Sequence, residues 1–289
     1  MMPKRADYLS TNILSTELSD LDFRRFSVLV YEKCGINLHK GKKELVRARL
    51  GKRLREAGFK DFKTYYRFVT QEDRGDELVK MLDAISTNLT SFFREEKHFD
   101  FLKRVVFPTY SAGENTAGLQ KLQFWSAGCS SGEEPYSLAM LLLEYLGENP
   151  RLDMKVLATD ISTKVLAQAE RGVYPAARLE KIPATVVRKY FHRGYGRQEG
   201  YFRVKPSLRE MVQFKRLNLM EPLPFKEAFD VILCRNVMIY FDKTTQEDLV
   251  SKLYDRLLDG GYLFIGHSET LTRISHRFRY IRPSVYQKV

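Results

Sequence analysis

From residue 120 onward, short apolar runs alternate with helical patterns, and this alternation most constrains the fold. Leu122–Ser126 reads as a strand and Pro135–Leu146 as a helix. Lys155–Thr159 and Thr163–Arg171 repeat the pair, and Val212–Lys215 is a further strand. Phe229–Cys234 reads as a buried strand, Thr244–Leu258 as a helix and Tyr262–Gly266 as another strand. Strands that alternate with helices form a parallel sheet covered on both faces, an α/β fold. The segment 174–212 breaks the pattern. It holds a short helix near Thr185–Phe191 and a glycine-rich hairpin candidate, Arg193–Val204, so it reads as a small antiparallel β insertion.

The first 86 residues read differently, as an all-α domain followed by an α/β domain over 87–289. Ser19 with Asp22 three residues on resembles a capping box, and Phe23, Phe26 and Val30 follow at helical spacing. A second helix spans roughly Lys42–Ala57, with Val46, Leu50, Leu54 and Ala57 as one apolar stripe. Further helices fall at Phe62–Thr70 and Asp76–Ser86. A helix over Glu95–Phe107 is expected to end at Pro108, and residues 111–118 are a loop by composition. Two domains suit 289 residues at about 150 residues each. The most apolar run, Leu138–Leu146, is interrupted by Glu144, whereas a membrane span needs about 20 apolar residues. No apolar stretch follows Lys4 and Arg5, so no signal peptide is expected. Three unclustered cysteines fit a reducing cytoplasm better than a disulfide framework. The net charge of +12 attracts acidic partners without choosing among nucleic acid, lipid and protein.

Ligands of open α/β sheets bind at the carboxyl ends of the strands. The first strand here runs into Trp125-Ser126-Ala127-Gly128-Cys129-Ser130-Ser131-Gly132-Glu133-Glu134-Pro135, where small residues permit close approach to the backbone. The second ends in Thr159-Asp160, and a carboxylate there can accept from both hydroxyls of a ribose. The dinucleotide fingerprint G-x-G-x-x-G is absent, and Glu133 and Glu134 would repel a diphosphate. They suit a ligand with positive charge and no phosphate, as in S-adenosylmethionine. The plain alternative is that Gly128 and Gly132 only make a tight turn and the glutamates favour a helix N-terminus. Arg235 and Asn236, polar residues directly after the buried strand, fall where a site residue belongs; so do Leu217-Asn218-Leu219 after the strand at 212.

Three stretches carry a family resemblance. Thr87-Asn88-Leu89-Thr90-Ser91-Phe92-Phe93-Arg94, Gly132-Glu133-Glu134-Pro135-Tyr136-Ser137 and Cys234-Arg235-Asn236-Val237-Met238-Ile239-Tyr240-Phe241-Asp242 resemble the signatures of the CheR family, the chemotaxis receptor glutamate methyltransferases. The similarity runs from about residue 20 to the end. It implies a Rossmann-like S-adenosylmethionine-dependent methyltransferase sheet, with S-adenosylhomocysteine as product. It further implies that Asn88, Thr90, Arg94, Glu134, Asp160, Asn218, Leu219, Arg235 and Asn236 contact the cofactor or its pocket, and that Arg94 and Tyr240 flank the transferred methyl. The alternative for Tyr240 is a core aromatic beside Ile239 and Phe241. The glycine-rich segment, with Gly194, Gly196 and Gly200, resembles the family's inserted β-subdomain, which in some members docks a short peptide at the receptor C-terminus. The implied partner is the cytoplasmic domain of a chemoreceptor, met by a cytoplasmic monomer with no nucleic acid and no membrane insertion.

The chemistry agrees with this resemblance. A glutamate side chain has an ordinary pKa of about 4.3, so the nucleophile is already ionised at neutral pH and needs no general base. None of the five histidines (His39, His98, His192, His267, His276) lies in a signature stretch or shows metal-ligand spacing, so no metal is expected. Lys42, Lys43, Arg47, Arg49, Lys52, Arg53 and Arg55 crowd the second helix against only Glu44 and Glu56. This is either a solvated face or, through Arg47, Arg53 and Arg55, a footprint for an acidic helical bundle. Two other classes fit parts of the sequence. A nucleic-acid methyltransferase would suit the charge, but the Asn/Asp-Pro-Pro-aromatic stretch of amino-methylating enzymes is replaced by Arg235–Tyr240. A non-enzymatic nucleoside-binding module would not need Arg94 and Tyr240.

Overall fold

The computed structural model describes residues 17–111, 120–147, 149 and 151–289. These divide into two compact units. One comprises the described residues through Glu32 together with Asn37–Ile85; the other comprises Lys33–Ile36 and Ser86–Val289. The loop expected over 111–118 lies almost wholly outside the described residues.

The first unit is helical: α1 (Asp20–Cys34, whose end belongs to the second unit), α2 (Lys43–Glu56), α3 (Phe62–Arg67) and α4 (Asp76–Ile85). Ser19 caps α1 at the expected place, its hydroxyl rather than its N–H reaching the Asp22 carboxylate. Ser19 Oγ bonds the Asp22 carboxylate at 2.7 Å and accepts from the Asp22 N–H at 3.0 Å. Val46, Leu50 and Leu54 of α2 are buried, and Phe26 packs edge-on to Phe62. Asp61 caps α3 by accepting from the Thr64 N–H at 2.7 Å.

The second unit opens with α5 (Glu96–Phe101) and α6 (Phe107–Ser111), joined by a wide helical turn at Leu102–Val106. Pro108 therefore does not end the helix. The wide turn re-phases the hydrogen-bond ladder, so Pro108 falls in a first turn, where its missing N–H has no helical partner to lose. The order continues β1 (Gln120–Ala127), α7 (Glu133–Leu146), β2 (Leu152–Asp160), α8 (Thr163–Arg171), β3 (Val173–Pro175), α9 (Ala184–Tyr190), β4 (Phe191–Arg193), β5 (Tyr201–Val204), α10 (Pro206–Arg209), β6 (Val212–Arg216), β7 (Phe229–Cys234), α11 (Lys243–Asp255), β8 (Leu257–Ile265), β9 (Arg279–Arg282) and β10 (Val285–Gln287). The seven-stranded sheet has the order β6-β2-β1-β7-β8-β10-β9. Pairs from β6 to β8 are parallel, and β10 pairs antiparallel with both β8 and β9. The sheet is mixed rather than wholly parallel. Its two last strands escape a sequence reading: Arg279–Arg282 is mostly exposed at the sheet edge, and Val285–Gln287, though largely buried, is only three residues long. The helix expected to reach Leu258 stops at Asp255, and β8 begins at Leu257, opposite Phe229.

Both faces of the sheet are covered. Leu122 and Phe124 of β1 join one apolar cluster with Val231 and Leu233, while Trp125 and Ala127 join the other with Ile232 and Cys234. This two-sided burial is why β7 reads as a nearly unbroken apolar run. The chain leaves β1 for β2 and β6 on one side, then returns to β7 on the other. The loops after β1, β2 and β7 therefore meet at a topological switch point. The inserted segment forms its own antiparallel sheet, β3-β5-β4, with β5 in the centre. All three cysteines are buried free thiols. No helix among the described residues is long and apolar enough to cross a membrane.

Candidate active site

The turn after β1 is held against β2. The N–H groups of Gly128 and Cys129 both donate to the Thr159 carbonyl, at 2.8 and 2.9 Å. Gly128 (φ 85°) and Gly132 (φ 95°) lie in the left-handed region, where glycine costs least. A Cβ on Gly128 would fall 2.4 Å from Val237 Cγ2, and one on Gly132 would fall 2.8 Å from Ala169 Cβ and the Tyr174 hydroxyl. The close approach these glycines permit within the chain is to the side chains of Val237, Ala169 and Tyr174. Asp160 is buried at the end of β2; its Oδ2 accepts from the Ser130 N–H at 2.8 Å and its Oδ1 from the Ser162 N–H at 2.9 Å.

Glu133 and Glu134 start α7. Glu133 Oε2 accepts from Ser131 Oγ at 2.7 Å, whereas its Oε1 is buried without a hydrogen bond, 3.5 Å from Arg178 Nη1. Glu134 Oε1 accepts from Ser126 Oγ at 2.6 Å and its Oε2 from Arg235 Nη1 at 3.0 Å. Burial raises the Glu134 pKa above the usual carboxylate range, against the pull of the Arg235 charge.

Arg235 ties three segments together. Beyond Glu134, its Nε and Nη2 reach Glu95 Oε2 at 3.2 and 3.1 Å, and Nη2 also donates to the Arg94 carbonyl. Its side chain is 2% exposed. The sequence placed Arg235 among cofactor contacts. In the structure its guanidinium fork bonds the Glu134 and Glu95 carboxylates and the Arg94 carbonyl. Its partner Glu95 was not singled out from sequence, although it directly follows the Thr87–Arg94 signature. Glu95 sits at φ 59°; its Oε1 accepts from the His267 N–H at 3.1 Å and lies 3.4 Å from Asn236 Nδ2. Burial pushes its pKa up, but Arg235 and the His267 N–H more than offset this and hold it below the usual range. Asn236, at φ 60°, is also left-handed.

His98 and His267 border this network. His98 is buried, neither ring nitrogen forms a hydrogen bond, and its Nδ1 lies 3.5 Å from Glu95 Oε2. Burial, aided by the Arg235 charge, lowers its pKa to about 3. Ligand atoms of Glu95, His98 and His267 lie within 4.8 Å of one another, a grouping invisible to local spacing because His267 is remote in sequence. Arg235 contacts the same Glu95 oxygen, so a fixed cation already faces that carboxylate.

The remaining anticipated residues divide by role. The half-buried Arg94 donates from Nη1 to the Leu89 carbonyl at 2.8 Å. Tyr240 closes the turn Met238–Tyr240, is half-buried, and its hydroxyl has no partner among the described residues. It is not the core aromatic that the alternative required. Asn88 and Thr90 hold their loop through main-chain carbonyls, which accept from Ser130 Oγ at 3.0 Å and Arg178 Nη1 at 2.8 Å. Asn218 uses its amide on the chain: Nδ2 donates to the Lys33 carbonyl (2.7 Å) and Glu221 (3.0 Å), and Oδ1 accepts from the Met220 N–H (3.1 Å). Leu219 is buried in one apolar cluster.

Family models match both units: the CheR methyltransferase all-alpha domain over residues 21–86, and the CheR methyltransferase SAM binding domain over residues 88–286. The chain belongs to the CheR methyltransferase family. It is 44% identical over 282 residues to the chemotaxis protein methyltransferase of Borreliella burgdorferi, covering 97% of this chain and 96% of that one. Against the chemotaxis protein methyltransferase of Escherichia coli it is 39% identical over 270 residues, covering 93% and 91%.

Within the CheR all-alpha domain, the expected partner-facing arginines are not equivalent. Arg47 and Arg55 are exposed, and Arg47 pairs with Glu44 at 2.8 Å. Arg53 differs: it is bidentate to Glu77 at 2.7 and 2.6 Å, and Tyr65 donates to the same carboxylate at 2.9 Å. Its side chain is 19% exposed, so its charge serves the domain interior rather than a surface. In the small sheet of the CheR catalytic domain, a Cβ on Gly194 would fall 2.1 Å from the Gln198 carbonyl oxygen. Gly196 (φ 57°) and Gly200 (φ 82°) lie in open space. All three glycines serve the β4–β5 turn.

Proposed function

We propose that this protein transfers the methyl group of S-adenosylmethionine to glutamate carboxylates on the cytoplasmic domain of bacterial chemoreceptors, giving glutamate methyl esters for sensory adaptation. One observation carries the reading: the buried carboxylates of Glu133 and Asp160 and the half-buried carboxylate of Glu134 stand at the switch point, at the start of α7 and the end of β2. Such a donor set disfavours a phosphate and fits a nucleoside that bears positive charge. The buried Oε1 of Glu133 makes no hydrogen bond, although Arg178 Nη1 stands 3.5 Å away, so it can still accept one from a ligand. When bound, S-adenosylmethionine supplies an electrophilic methyl on a sulfonium.

Asp160 is the carboxylate placed to accept from ribose hydroxyls, and the Ser130 and Ser162 N–H groups fix its orientation. Arg235, braced by Glu95 and Glu134, sets the backbone at Arg94 and at Asn236. Arg94 then orients the incoming carboxylate through its planar donors, and the Tyr240 hydroxyl is free to donate beside the transferred methyl. The receptor carboxylate is ionised at neutral pH, and the buried His98 stays neutral, so no proton moves in this step. Catalysis rests on alignment. The exposed basic residues of α2 offer an acidic receptor bundle a complementary face. The outer strand β4 offers a main-chain edge to an extended receptor tail, with Arg193, Arg197 and Arg203 nearby for acidic groups.

The test is incubation with S-adenosylmethionine labelled in the methyl, a receptor cytoplasmic domain, and RNA as competitor. Label is expected on the receptor and should be released by base as methanol. Label on RNA, or a base-stable adduct, overturns the reading.

A further inference from the structure

We propose that Glu269 is a positioning residue for methyl transfer, acting through the turn that carries Tyr240; the proposal rests on the function proposed above. Its Oε2 accepts from the Asn236 N–H at 2.9 Å and the Gly266 N–H at 2.5 Å, and its Oε1 from the Ile239 N–H at 3.2 Å. One carboxylate thus binds the loop after β7 to the loop after β8.

The hydrogen bonds of the turn show what this does. The Tyr240 and Phe241 N–H groups bond within the turn, to the Val237 and Met238 carbonyls at 3.2 and 3.0 Å. The Met238 and Phe241 carbonyls accept from Gln246 Nε2 of α11, at 2.9 and 3.0 Å. The N–H groups of Asn236 and Ile239, which have no such local partner, go to Glu269. Asn236 is left-handed, a conformation that costs energy for a residue with a Cβ and persists only when its surroundings enforce it. The contact is also close-fitting: a Cβ on Gly266 would fall 2.4 Å from Asn236 Nδ2 and 2.8 Å from Glu269 Oε2. Gln246 holds the Met238 and Phe241 carbonyls and Glu269 holds the Asn236 and Ile239 N–H groups, which leaves the Tyr240 ring on a braced backbone while its hydroxyl has no partner among the described residues. Misplacing a reacting group by about 1 Å costs about 10²-fold in rate, so a loosened turn is expected to act on turnover.

The experiment compares Glu269→Ala and Glu269→Gln in the full-length protein, each alone and with Tyr240→Phe. Hydrogen exchange by mass spectrometry is expected to rise in the peptide spanning 235–241 and to stay unchanged in 96–107. At saturating S-adenosylmethionine, kcat for receptor methylation is expected to fall about 10²-fold in Glu269→Ala and by less in Glu269→Gln, which keeps one acceptor oxygen. In the Tyr240→Phe background the same substitutions should cost little further, because the two residues act as one unit. Should Glu269→Ala not fold, the Glu269→Gln pair gives the same readouts. Unaltered exchange over 235–241, or rate losses that multiply independently, overturns the proposal. A wild-type protein that methylates no receptor overturns the parent function and this role together. The exchange measurement, which needs no activity, reports separately whether the clamp exists.

Discussion

A buried histidine held neutral at the edge of the site should make folding stability depend on pH in a defined window. The His98 pKa drops from 6.5 to about 3, chiefly by burial, with Arg235 adding to the shift. A depressed pKa on a basic group means that the unfolded chain binds a proton which the folded chain refuses. The stabilising contribution is therefore fully present above pH 6.5 and is lost as pH falls towards 3. The slope is about 1.4 kcal/mol per pH unit, so going from pH 7 to pH 5 removes about 2 kcal/mol. Glu95, with a lowered pKa, acts below this range; Glu134, Asp230 and Glu269, with raised pKa values, act in the opposite sense as pH rises. Wild-type stability alone thus mixes signs, and a variant must isolate the histidine. His98→Phe keeps an aromatic ring beside Phe264 and cannot titrate. Trp125, the single tryptophan, is buried in the same unit and reports its unfolding by fluorescence. Urea titrations at pH 5, 6, 7 and 8 should show wild type losing about 2 kcal/mol relative to His98→Phe between pH 7 and pH 5. A difference that stays constant over that interval would falsify the claim that His98 is neutral in the folded state.

Other perturbations separate binding, chemistry and encounter. Asp160→Ala should weaken S-adenosylmethionine binding by about 1.5–3 kcal/mol, roughly tenfold or more in calorimetry; unchanged affinity removes Asp160 from the site. Arg94→Ala should slow receptor methylation by about 10²-fold or more while the melting temperature moves by only a few degrees; a near-normal rate rejects its role. Charge reversal at the exposed Lys52 and Arg55 should slow methylation at low salt and flatten its salt dependence without altering cofactor affinity. If the reversed variant keeps the wild-type rate, α2 is only a solvated face. Arg53→Glu should instead destabilise the helical unit by about 3 kcal/mol, because it leaves the Glu77 carboxylate buried without its cation; an unchanged melting temperature contradicts that pairing.

Local chemistry made much of this protein legible in one dimension. Apolar runs of strand length between helical patterns announced the α/β sheet, and Ser19 with Asp22 announced a helix start that forms as read. Asp160 and the glutamates after Gly132 were recognisable because a polar residue at the carboxyl end of a buried strand breaks the expected pattern. Proline punctuation at residue 108 misled, since the wide turn before it depends on packing rather than on the proline itself. The edge strand β9 was missed because Arg279 and Arg282 at its ends leave it little apolar periodicity, and the inner strand β10 because three residues are too short to show any.

What tertiary structure alone decided is which charges meet. Sequence spacing cannot pair Arg235 with Glu95, Arg53 with Glu77, or Glu269 with the N–H groups of Asn236 and Ile239, because these partners come from separate segments brought together by the sheet and by helix packing. It equally cannot show that His98 lacks a hydrogen bond or that Gly128 makes room for Val237. Periodicity and motif chemistry are properties of neighbouring residues, so the chain by itself determined its layers and the residue types at its strand ends. Hydrogen bonds and desolvation depend on distance and burial in three dimensions, so only the folded chain decided which of those residues brace the others.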